Sequence, residues 1–133
     1  MGASDEAENV RADVLDWFHQ NWDSSLRLLE WRERLVDSGW AVPSWSTSWY
    51  GRGLGSWADR VAHETIRGAG GVAVPLGGGM GLAAPTLAEF GSDELKRRVL
   101  RPTLTGELTW CQLFSEPGAG SDLAGLTTSA VRD

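Results

Sequence analysis

The chain has 133 residues, enough to bury a core without help from metals or disulfides, and 41% apolar with 23% charged residues excludes wholesale disorder. A single cysteine, Cys111, excludes an internal disulfide framework and a cysteine-based zinc site, and no apolar run reaches the roughly 18 residues of a membrane-spanning helix. Twelve basic against 18 acidic residues give a net charge of −6, which disfavours nucleic-acid binding through a basic face.

The first 33 residues carry eight acids and three arginines. The first twenty residues are acidic and hold no apolar h-region, so no secretory signal is expected and the cytosol is the simplest compartment. Residues 5–20 read as an amphipathic helix, with Val10, Val14, Trp17 and Phe18 at 3.6-residue spacing. Ser24 or Ser25 can cap a second helix running to about Asp37, with Leu28, Trp31 and Leu35 as its stripe and Leu29 and Val36 widening it. Gly39 ends it.

Residues 40–56 break the periodicity. Pro43, four serines and three glycines sit among Trp40, Trp45, Trp49 and Tyr50. This aromatic loop is expected to pack on the helices as an anchor, more readily than to serve as a ligand platform. A third helix is expected from Ser56 to Arg67, with Trp57, Val61, Ala62, Thr65 and Ile66 inward. The glycine-rich passage Gly68–Gly79 follows, then a small-residue helix around Met80–Phe90. Ser92 caps a further helix, Asp93–Arg101, whose acids and arginines sit at the dipole ends that favour them. Pro102 is expected to end it.

At Thr109 the character changes. Thr109–Ser115 (TWCQLFS) and Leu126–Val131 (LTTSAV) read as strands, separated by the loop EPGAGSD. The sequence thus divides into a helical domain, 1–106, and the start of a β domain, 107–133. In the loop, Gly118 and Gly120 permit positive φ and leave amides bare, while Ser121 and Asp122 add short polar side chains. Such a corner suits a phosphate or an electron-rich ring edge; a plain hairpin connection is the other reading.

Phe114–Asp122 (FSEPGAGSD), with Leu123–Gly125 and the strand Thr127–Asp133, resembles the flavin-site signature of acyl-CoA dehydrogenases. Gly39–Gly55 (GWAVPSWSTSWYGRGLG) resembles that family's Gly-Trp…Pro-x-Trp…Tyr-Gly-Gly-x-Gly passage, and Gly81–Glu107 resembles its next helical pair. The resemblance implies a mostly α fold, an N-terminal helical domain leading into a truncated β domain. It implies FAD as cofactor, oxidation of an acyl-CoA thioester to its trans-2-enoyl form, an electron-transferring flavoprotein as acceptor, and a homo- or hetero-oligomer. By resemblance, Gln112, Phe114, Ser115, Gly120 and Ser121 approach the flavin, and Ser121 also the thioester. Gln112 stands where an aromatic residue is frequent, Phe114 where a smaller one is, and Ser115 where threonine is. Arg52 interrupts the Tyr-Gly-Gly pattern. These departures bear on substrate size.

The family's base is a carboxylate from a C-terminal helical domain, and no residue here matches it. The chain is therefore expected to be an N-terminal fragment, inactive alone. A non-catalytic truncated subunit or a helical interaction module is the alternative. Glu116 is expected to hold the loop and not to act as the base. Several other features have plain readings. Gly79–Ala84 (GMGLAA) fits a dinucleotide fingerprint formally, but Pro85 falls in the required helix, so close helix packing is expected. His63 and Glu64 are adjacent and cannot face one site from a helix. His19 reads as a surface residue and Cys111 as a buried small one.

Overall fold

A computed structural model describes residues 3–132. Five α-helices run in order: α1 (Ala3–Asn21), α2 (Leu28–Asp37), α3 (Trp57–Gly68), α4 (Ala84–Phe90) and α5 (Asp93–Thr105). A 3-10 turn at Thr47–Trp49 and a π-helical turn at Gly79–Ala83 lie between them.

The expected stripe of α1 is buried: Val10, Val14 and Phe18 are inside, and Trp17 packs partly against them. α2 starts later than expected, with Arg27 at its N-cap and no side-chain cap. Asp23 is the reason. Its Oδ1 accepts the Ser25 amide at 2.8 Å and its carbonyl accepts the Leu26 amide at 3.0 Å. This turn uses the serines before a helix can. Trp31, Leu35 and Val36 are buried on α2, whereas Leu28 and Leu29, one turn earlier, are exposed. Gly39, at φ +82°, closes the helix as expected, with its amide donating to the Val36 carbonyl.

Trp31 occupies the centre of the core, fully buried. The rings of Trp22, Trp17 and Phe18 surround it at 4.7, 5.4 and 5.7 Å between centroids. Its Nε1 donates to the Val72 carbonyl at 2.6 Å, which pulls the glycine-rich passage onto α2. The loop 40–56 packs as an anchor. Trp40, Ala41 and Val42 are buried, Trp45 and Tyr50 pack against the core, and the Arg52 and Leu54 amides both return to the Pro43 carbonyl. Asp59 on α3 accepts the Ser44 amide at 2.8 Å and its hydroxyl at 2.6 Å, tying loop to helix.

Ser92 caps α5 through the Leu95 amide. The helix does not end at Pro102. It continues to Thr105, and Gly106 at φ +86° ends it. A helix-interior proline costs about 3 kcal/mol. Val99, Leu100 and Leu104 are all buried on this helix, and each contributes about 1.5–3 kcal/mol on burial, so packing outweighs the proline. Arg101 then forks onto Asp37, with Nε to Oδ1 at 3.0 Å and Nη2 to Oδ2 at 2.9 Å, and reaches Glu33 at 3.3 Å. That fork fastens α5 to α2.

The two expected strands are not formed. Thr109–Ser115 and Leu126–Val131 carry no ladder, and the single β-bridge among the described residues joins Glu116 and Ala119. A strand is made by its neighbour's hydrogen bonds, and no described backbone pairs with either stretch.

Candidate functional site

The glycine-rich passage and the segment after α5 meet in an apolar cleft of about 440 Å³. One wall is the π turn and α4, through Leu82, Ala83, Thr86 and Leu87. The other is Trp110–Phe114. Two contacts build it. Trp110 Nε1 donates to Thr103 Oγ1 at 2.9 Å, and Thr103 donates in turn to the Val99 carbonyl at 2.6 Å. This pins the segment to α5. On the facing side, a Cβ at Gly79 would stand 3.0 Å from Trp110 Cδ1, so glycine lets the π turn come close. Neither Trp110 nor Thr103 stood out in the sequence. The available signal was an indole N–H seven residues after a threonine, each needing a partner if buried.

Of the expected site residues, Gln112 and Phe114 line the cleft. Phe114 is 71% exposed and Leu113 87% exposed, so this wall presents apolar surface outward. Ser115 is exposed just past the cleft, and Gly120 and Ser121 are exposed in the turn that follows. Cys111, expected to be buried, is exposed and lines the cleft, because Trp110 takes the inward position beside it. No carboxylate or histidine is among the lining residues.

The loop 116–122 folds on Glu116. The Glu116 and Ala119 backbones exchange bonds of 2.9 and 3.1 Å. The Glu116 carboxylate accepts the Thr127 amide and hydroxyl at 2.9 Å each, the Thr128 amide at 2.6 Å, and the Thr128 hydroxyl. The Thr128 hydroxyl above all, then the two amides, holds its carboxyl down to about 2. A carboxylate so satisfied is a clamp and a poor proton acceptor. Gly118 and Gly120 do not use the positive φ that they permit; the Glu116–Ala119 bonds close the turn without it. Their amides, and that of Ser121, make no hydrogen bond among the described residues. A Cβ at either glycine would meet nothing within 4 Å. The backbone here is bare and uncrowded, the donor set expected for a phosphate or a flavin edge.

The remaining candidates resolve simply. Gly79–Ala84 is a π turn entering α4, with Pro85 in the first turn and no strand before it among the described residues, so the dinucleotide fingerprint has no context. His63 Nε2 donates to the Ala41 carbonyl at 2.7 Å, and His19 is exposed on α1. No group of three or more His, Cys, Asp or Glu among the described residues could hold a metal ion. No described helix is long and apolar enough to cross a membrane.

Residues 4–107 match the family model described as acyl-CoA dehydrogenase, N-terminal domain. FadE34, an acyl-CoA dehydrogenase of Mycobacterium tuberculosis, is 46% identical over 98 residues, covering 74% of this chain and 14% of that protein. IpdE1, an acyl-CoA dehydrogenase of the same organism, is 34% identical, covering 96% of this chain and 38% of that protein. Among solved structures, the steroid ACAD variant Tcur3481-Tcur3483 superposes with TM-score 0.61 at 28% identity, over 98% of this chain and 37% of that one. The ChsE4-ChsE5 complex from Mycobacterium tuberculosis gives TM-score 0.61 at 27% identity, over 100% of this chain and 36% of that one. The chain therefore spans little more than a third of the solved chains it matches.

Proposed function

The chain belongs to the acyl-CoA dehydrogenase family, and from that premise we propose that residues 1–106 are its N-terminal helical domain and 107–133 open its middle β domain, together supplying one wall of an FAD-dependent dehydrogenase site. The reaction is oxidation of an acyl-CoA to its trans-2-enoyl form. FAD, when bound, takes up the hydride that leaves the β-carbon.

One observation carries the reading. The segment that resembles the flavin signature emerges from the end of an apolar cleft, and beyond it stand three amides with no hydrogen bond among the described residues. Gln112, Phe114 and Ser115 would hold the polar edge of the flavin, where donors stabilise negative charge on reduction. Gly120 and Ser121 would hold the phosphate side, and Ser121 the thioester. Leu82, Ala83 and Leu87 would seat the acyl group. The small residues Gly78 and Ala83 leave width on that wall, which supports a bulky acyl substrate; one solved neighbour is named a steroid ACAD.

An α-proton of a thioester needs a positioned base. Glu116 is held by four donors, and no carboxylate lines the cleft. The base is therefore expected from outside these residues, and the 133-residue chain by itself is expected to be inactive. Assembly as a homo- or hetero-oligomer, a cytosolic location and an electron-transferring flavoprotein as acceptor complete the proposal.

A chimera tests it. Residues 1–133 replace the matching part of the IpdE1 relative, and the purified protein is assayed with an artificial acceptor on short, long and steroid-side-chain acyl-CoAs. Flavin-dependent turnover is expected. A folded chimera that holds FAD but oxidises no acyl-CoA contradicts the reading.

A further inference from the structure

A second groove, of about 440 Å³, lies away from the cleft, between α2, the C-terminal end of α3 and the extended passage 71–76. Two arginines line it, Arg32 and Arg67. Neither has a carboxylate partner among the described residues, a property they share with Arg27, Arg52, Arg98 and Arg132. Arg32 is the more unusual. Its Nε is buried with no hydrogen-bond partner. Its guanidinium is crowded against the backbone: a Cβ at Gly106 would stand 2.8 Å from Arg32 Nη1 and 3.1 Å from Pro75 Cγ. Burial pushes the Arg32 guanidinium below its usual range, and no acid pulls it back. A half-buried cation whose Nε has no partner gives up some hydration without a compensating hydrogen bond, which an anion placed on it would restore.

The rest of the groove is aliphatic and incomplete. Leu76 is 92% exposed and Val72 41% exposed. The Val74 and Leu76 amides make no hydrogen bond among the described residues. We propose that this groove docks an extended polypeptide segment of a partner chain, which sets a carboxylate on the Arg32–Arg67 pair, apolar side chains on Val72 and Leu76, and main-chain bonds along 74–76. A carboxylate matches the guanidinium fork. An extended segment pairs open backbone edges while alternate side chains fill the groove. A free phosphate would use the two cations but would leave Val72 and Leu76 uncovered.

The test is fluorescence anisotropy of the 133-residue chain with a labelled pentapeptide alternating valine and glutamate, against the same peptide with glutamine. The glutamate peptide is expected to bind at least tenfold more tightly, with binding weakened by salt. Arg67→Gln, a surface change, is expected to reduce binding at least tenfold with an unchanged near-ultraviolet spectrum. Arg32→Met is expected to abolish binding and to raise the Tm, because it removes the unpartnered cation. Several results would overturn the proposal. They are no binding at millimolar peptide, equal binding of both peptides, displacement by inorganic phosphate at lower concentration than by peptide, or a concentration-dependent dimer of this chain that Arg67→Gln abolishes. A lowered Tm for Arg32→Met with binding intact would do the same.

Discussion

At Glu116 four donors from Thr127 and Thr128 converge on one carboxylate. Its pKa is lowered from 4.5 to about 2, so the folded state favours the ionised form. The sign follows: the clamp is fully made above about 4.5 and is lost as pH falls through about 2. The Thr127 and Thr128 amide resonances should therefore titrate with a midpoint near 2, and a midpoint near 4.5 would show that the clamp does not form. This role was legible in the sequence, since Pro117 and Gly118 beside Glu116 mark a loop. The Trp110–Thr103 pin was not, because which indole meets which hydroxyl is decided by packing. Ser115 is the contrasting residue. Its hydroxyl makes no hydrogen bond among the described residues and is exposed. Ser115→Ala should change the unfolding free energy by less than the roughly 1 kcal/mol of one hydrogen bond. In the chimera it should shift the flavin potential or the turnover. Loss of folding with unchanged specific activity would make the residue structural.

Among the elements, the apolar stripes were readable and the ends were not. Val10, Val14 and Phe18, then Trp31, Leu35 and Val36, then Val61, Ala62, Thr65 and Ile66 are buried at the spacing their positions dictate. The start of α2 was misread because Asp23 competes for the same backbone that Ser24 or Ser25 would cap. The end of α5 was misread because local rules charge for Pro102 but cannot weigh Leu100 and Leu104 behind it. The two strands were misread for a related reason: β pairing is non-local. Leu100→Ala tests the weight given to packing. It should cost about 2–5 kcal/mol, the range for a large-to-small change in a closed core, read from urea midpoints. A cost below about 1 kcal/mol would mean that α5 is held by the Arg101 fork instead.

For the molecule as a whole, most of its eight tryptophans find their place in or against the core. Trp31 and Trp40 are buried, and Trp17, Trp22, Trp45 and Trp57 pack against the core. Much of the surface left apolar lies elsewhere, at Leu82, Leu113 and Phe114 along the cleft and at Leu76 and Phe90 outside it. A wall of this kind needs an opposite wall. The 133 residues alone should accordingly neither reduce an acceptor with acyl-CoA nor keep FAD through gel filtration, and turnover above the buffer blank would assign the base to a carboxylate within them.

The central claim is that the backbone from Gln112 to Ser121 is the flavin side of an acyl-CoA dehydrogenase site. Gly120 tests it most directly, since its Cβ direction is open and its amide makes no hydrogen bond among the described residues. The measurement is the flavin-to-protein absorbance ratio of the purified chimera, with and without Gly120→Val. The valine should fill the approach and remove bound FAD while the circular dichroism spectrum stays unchanged; a normal flavin ratio in the folded variant would contradict the claim.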